Sequence, residues 1–162
     1  MKMLKFPDGG EELLALWSKF QSLPFGKGLF SKALGWLIPY TGSVSPSVDV
    51  LERGHAIVSI NDVRGVRNHL ASIHAIALAN IGEFSTGLAL TSQMPAGMRA
   101  ILGSLKTDYL KKARGHLRAE AKCQSIERTA KAERVVIAEI FDTSGACVSR
   151  VTATWVVGEA KR

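Results

Sequence analysis

The sequence predicts an α+β domain in which a curved antiparallel sheet wraps around one long central helix, with two short helices ahead of it. Three observations carry this. Residues 67–90, "RNHLASIHAIALANIGEFSTGLAL", read as one helix that is apolar nearly all round, and such a helix wants protein on almost every side. Before and after it the apolar period changes to two, the period of half-buried strands. Small residues recur along the helix, at Ala71, Ala75, Ala77, Ala79, Gly82 and Ser85, and would let a sheet approach closely.

The elements follow in order. Asp8, with Glu11 three residues later, has the spacing of an N-cap and its capping-box partner. Leu13, Leu14, Trp17 and Phe20 then share one helical face, and "PFGKG" breaks the helix. A second short helix carries Phe30, Leu34 and Leu37 and stops at Pro39. With Trp17 and Trp36 the two helices could serve at a membrane surface, but their charge is too sparse to favour that, and no membrane partner is expected. Residues 8–39 are therefore expected to form a lid or packing layer. Residues 48–51 and 56–60 read as a hairpin turning at "ERG". After the long helix, Pro95 and Gly97 break the chain, and strands are expected over 98–110, 115–123, 134–141 and 148–157. In the second of these, Leu117, Ala119, Ala121 and Cys123 alternate with His116, Arg118, Glu120 and Lys122.

Composition bounds the function. The chain has 162 residues, 46% hydrophobic and 22% charged, which suits one soluble domain over 1–162. The core is expected over 47–157. No apolar stretch follows the basic start before Pro7, so no secretory signal is expected. The apolar run from 70 to 90 is broken by Ser72, His74, Asn80 and Glu83, which argues against a membrane span; a cytoplasmic protein is expected. Cys123 and Cys147 form no C-x-x-C pair and are expected to be buried free thiols. Net charge is +7, and residues 106–134 hold nine Lys or Arg against four Asp or Glu. Most of these charges read as the solvated face of a sheet. With 7% aromatic residues and interleaved acids, a nucleic-acid partner is not expected. The four histidines lack metal-ligand spacing, so no metal and no cofactor are expected.

One residue stands out. Glu83 places a carboxylate within the most apolar segment, and burying an unpaired charge is costly or shifts its pKa. Either it has a structural partner, or its discomfort is useful. Asn68, Ala71, His74 and Glu83 together resemble the helix motif of the hotdog-fold acyl-CoA thioesterases, above all the phenylacetate-pathway and 4-hydroxybenzoyl-CoA types. That motif is N-x-x-G-x-x-H-G-G, with an acid nine residues after the His. Here Ala71 stands in the place of Gly, and Ala75 and Ile76 replace the Gly pair.

The resemblance implies a hotdog fold and hydrolysis of an acyl-CoA or acyl-carrier thioester. Catalysis would fall to Glu83, Asn68 and His74, with the thioester carbonyl at the Ala75 N–H. Coenzyme A would be part of the substrate, its phosphates met by Lys111, Lys112, Arg114 and Arg128. A non-catalytic acyl-CoA-binding module on the same fold is the alternative. Nine residues along a helix are about 13.5 Å of rise and half a rotation, so His74 and Glu83 of one chain point apart. A homodimer with antiparallel central helices would bring Glu83 of one chain to the helix start of the other, and such dimers could pair again into a tetramer. For His74 a structural role in holding the loop before the helix is the stronger reading. Asn68 reads nearly as well as a cap.

Overall fold

The computed structural model describes residues 6–160. Its elements are α1 (Gly10–Gln21), α2 (Gly26–Leu37), a single turn α3 (Pro39–Gly42), β1 (Ser47–Glu52), β2 (His55–Ile60), a 3-10 turn (Arg64–Val66), α4 (Ala75–Thr91), β3 (Met98–Tyr109), β4 (Leu117–Lys122), β5 (Lys131–Phe141) and β6 (Cys147–Glu159). The strands form one antiparallel sheet in the order β1-β2-β4-β5-β6-β3. This is the hotdog arrangement that the apolar helix predicts. No helix among the described residues is long and apolar enough to cross a membrane.

Close packing of α4 on the sheet depends on small residues. A Cβ on Gly82 would sit 2.3 Å from a Val151 methyl carbon, so only glycine lets β6 come this near. Ala77, Ser85 and Ala89 are buried beside it. From the sheet, the inward alternation Leu117, Ala119, Ala121 on β4 and Val151, Ala153, Trp155, Val157 on β6 meets the helix. Outward residues of β4 are exposed or half-exposed, as period two requires.

The helical layer lies over β1 and the end of α4. Trp17 and Phe20 meet the Phe30 ring edge-on at 4.9 and 5.7 Å, and Leu13, Phe30 and Leu34 are fully buried. The start of α1 is tied to the C-terminal end of α4 by the Gly10 N–H donating to the Met94 carbonyl at 2.8 Å.

Three local expectations need correction. Asp8 does not cap α1; Gly9 occupies that position. The Asp8 carboxylate accepts instead from the Gly97 N–H at 2.9 Å, and Glu12, not Glu11, reaches back to the Asp8 N–H at 2.6 Å. The long helix starts at Ala75 rather than 67, because residues 68–72 close a tight turn that no helix can continue. Cys123 and Cys147 are free but only half-buried, and Cys123 lies just past the end of β4.

Candidate functional site

The loop leading into α4 is built by Asn68. Its side-chain oxygen accepts from the N–H groups of Leu70 and Ser72 at 2.9 and 3.2 Å, and its own N–H donates to the Ser72 carbonyl at 2.8 Å. The turn forces Ala71 to φ 52°, in the left-handed region where glycine is at ease. That explains in physical terms why a glycine suits this place in the motif. Asp62 anchors the loop from outside, bonded to Arg67 at 2.6 Å and to the Gly115 N–H at 2.7 Å. These two donors hold its carboxyl below the usual range.

His74 caps α4. Its Nδ1 accepts the Ile76 N–H at 3.1 Å, so the ring proton of the neutral side chain sits on Nε2. The Ala75 N–H has no acceptor among the described residues, and as the first residue of a 17-residue helix it lies at the positive end of the dipole. Its carbonyl accepts from the Tyr109 hydroxyl at 3.1 Å, which ties the helix start to β3.

The turn after β3 runs beside this helix start, since the Ile73 N–H donates to the Ala113 carbonyl at 2.8 Å. Of its cations, Arg114 is spent on the carbonyls of Ala71 and Leu70, and Lys111 pairs with Asp142 at 3.2 Å. Lys112 is exposed and has no ion pair among the described residues. Arg128 lies elsewhere. It bonds the Ala96 carbonyl at 2.6 Å and approaches Glu159, at the C-terminal end of α4.

Glu83 sits about 12 Å further along the helix axis than Ala75. Its carboxylate has neither an ion pair nor a hydrogen bond among the described residues, and burial raises its pKa above the usual carboxylate value. It opens on an apolar pocket of about 410 Å³. The wall comes from Leu37 and Ile38 of the helical layer, Phe84, Gly87 and Leu88 of α4, Met94, Met98 and Trp155. Trp155 is fixed there, its indole N–H donating to Thr86 at 3.2 Å, while the Thr86 hydroxyl donates to the Glu83 carbonyl at 2.7 Å. One turn before Glu83, the buried Asn80 donates to Thr41 of α3 at 3.3 Å, and its side-chain oxygen has no partner among the described residues.

Within one chain, then, the structure brings Asn68, His74, Ala75 and the basic turn to one end of α4 and leaves Glu83 at its middle. Asn68 and His74 use their acceptor atoms on local backbone. Two features escape the sequence: the pocket wall contributed by Leu37 and Ile38, and Arg99, which also lines the pocket. For the first, only proximity in the fold reveals the link. For Arg99, its place one residue into β3 is a weak signal.

The profile of the family described as "Domain of unknown function (DUF4442)" matches residues 26–157. No curated protein matches the chain. Among solved structures, the genomics target APC5556 is 32% identical, with a TM-score of 0.78 over 91% of this chain and 97% of its own. The Pseudomonas aeruginosa protein PA5026, named "Probable Thioesterase", is 21% identical, with a TM-score of 0.73 over 85% and 97%. A phenylacetic acid degradation-related protein from Ralstonia eutropha is 20% identical, with a TM-score of 0.63 over 78% and 98%. The last two likenesses bear on the fold.

Proposed function

This chain belongs to the DUF4442 family, and from that premise we propose that it hydrolyses acyl-CoA thioesters in a site completed by a homodimer. The observation that carries the reading is Glu83. A carboxyl without a structural partner among the described residues, raised in pKa and opening on an apolar pocket, has the properties of a general base kept for chemistry.

In the proposed reaction the acyl chain enters the pocket and the thioester carbonyl meets the Ala75 N–H of the other protomer. Glu83 takes a proton from water as the oxygen attacks the carbonyl carbon. The developing oxyanion is stabilised by that N–H and by the helix dipole. When the C–S bond breaks, the proton passes to the thiolate, leaving a carboxylic acid and free coenzyme A. Direct attack by Glu83, through an anhydride that water then opens, gives the same products. In this reading Lys112, with Lys111 beside it, would meet coenzyme A phosphates at the helix start.

What supports the dimer is β3. Its outer edge has no strand partner among the described residues, and Ile101, Leu105 and Tyr109 stand exposed along it. Antiparallel pairing of two such edges about a two-fold axis would continue the sheet and set the two α4 helices antiparallel.

A non-catalytic acyl-CoA-binding role has one observation in its favour. Ile76 is exposed at the helix start, where the motif has glycine and the carbonyl must fit. Thiol release from acyl-CoAs of graded length separates the two readings. Turnover by the native protein, reduced at least about 100-fold in Glu83→Gln, is expected. Unchanged turnover in that variant removes Glu83 from the chemistry. Saturable binding of acyl-CoA without turnover by the native protein assigns the binding role.

A further inference from the structure

The helical layer has a face that its own packing does not use. Trp17, Phe30 and Leu34 are buried, as a packing layer requires, but Phe25 is 91% exposed, Trp36 and Tyr40 65% each, and Leu29 47%. Phe25, Leu29, Lys32 and Trp36 are spaced i, i+4, i+7 and i+11, which sets them on one stripe of α2. Phe25, just before the helix, holds φ 58°, a conformation that suits glycine or asparagine better than an aromatic residue. The fold gains no burial from that ring.

On α2 and the turns that flank it the charge has one sign, the acids of the layer (Asp8, Glu11 and Glu12) lying at the start of α1. Between residues 13 and 48 the chain carries Lys19, Lys27 and Lys32 and no Asp or Glu. Lys27 is held by the Asp49 carbonyl at 2.8 Å, whereas Lys19 and Lys32 are exposed with no ion pair among the described residues. A second copy would be a poor occupant. A two-fold contact through this stripe would bring Lys32 towards Lys32, with no carboxylate on α2 to relieve it. An anionic bilayer fits better. Trp and Tyr settle at its headgroup level, Phe and Leu enter the acyl boundary, and lysine meets phosphate.

We propose that the face formed by Phe25, Leu29, Lys32, Trp36 and Tyr40 docks the protein on anionic phospholipid membranes. The proposal is independent of the hydrolase reading. Of the chain's three tryptophans, Trp17 and Trp155 are buried, so Trp36 is a built-in reporter of docking.

The test uses the full chain with sucrose-loaded phosphatidylcholine vesicles, with and without a minority of phosphatidylglycerol. The protein is expected to pellet with the anionic vesicles, with a blue shift of Trp36 emission, and to pellet far less with the neutral ones. Lys32→Gln should lower the partition coefficient roughly fivefold. Phe25→Asn, which relaxes the backbone while removing the ring, should lower it by roughly tenfold or more. Both variants are expected to keep the native circular dichroism spectrum. Failure of the native protein to pellet with anionic vesicles overturns the proposal, as does equal binding of the Phe25→Asn variant. A fall in molecular mass on Phe25→Asn, measured by sedimentation velocity, would assign the face to another copy instead.

Discussion

The two edges of the sheet are finished in opposite ways. At β1, α2 covers the strand and answers its backbone: the Ser31 hydroxyl accepts the Val48 N–H at 2.9 Å, and the Lys27 ammonium donates to the Asp49 carbonyl at 2.8 Å. At β3, a 12-residue strand carries apolar side chains and meets no covering element among the described residues. Long apolar edges are hazards that proteins cap or charge. One edge here is capped from within the chain. The other calls for a partner, and it is the edge whose Tyr109 holds the start of α4. On the proposed reading the sealed edge serves stability and the open edge serves the site.

That contrast can be broken. Ile101→Lys, a charge on the open edge, is expected to convert a dimer into a monomer in sedimentation velocity. Thioester turnover should then fall at least about 100-fold although Glu83 is intact, since positioning and the oxyanion donor are lost together. A monomeric variant with full turnover would place the whole site in one chain. The matching lesion at the sealed edge is Ser31→Ala. It strands the buried Val48 N–H, so about 1–3 kcal/mol of stability should disappear in urea titrations while the mass in solution stays the same.

Smaller effects sharpen the picture at the helix start. Ala71→Gly relieves a left-handed alanine and should raise stability by roughly 1 kcal/mol, readable as a higher urea midpoint. An unchanged midpoint would mean that the turn at 68–72 carries no strain. The last effect is on pH. The folded Glu83 has a pKa above its ordinary value, so its ionisation opposes folding. Stability is expected to be fullest below the ordinary carboxylate pKa and to decline as pH rises from there through the folded value. Glu83→Gln should remove that decline, so the variant's melting temperature should exceed the native one at neutral pH and converge with it in acid. A gap that widens in acid would have the sign wrong.

Much of the fold was legible because single residues decided it. The inward run Leu117, Ala119, Ala121 could only be a half-buried strand, and a helix apolar on all faces could only sit inside a sheet. The start of α4 was not legible, because residues 67–74 continue the apolar spacing of the helix with no Gly or Pro to break it. What stops the helix is a pair of bonds from one side-chain oxygen to the N–H groups of Leu70 and Ser72, and propensity does not encode that. Asp8 misled for a similar reason. Its spacing suited a cap, but the loop after α4 offered the Gly97 N–H, a contact across 89 residues. Glu83 was legible from contrast alone. The pocket beside it was not, since Leu37 and Ile38 reach it only through the way the helical layer folds back.

The Trp155 indole does more than line a wall. Through Thr86 it is linked to the backbone of the turn that presents Glu83, so the floor of the pocket and the frame of the acid are one hydrogen-bonded unit. A lineage that trims this tryptophan to admit a bulkier ligand would loosen the turn that carries Glu83 in the same step. On the proposed reading the width of the pocket and the placing of the acid change together, and a change at position 155 should be followed by one at position 86.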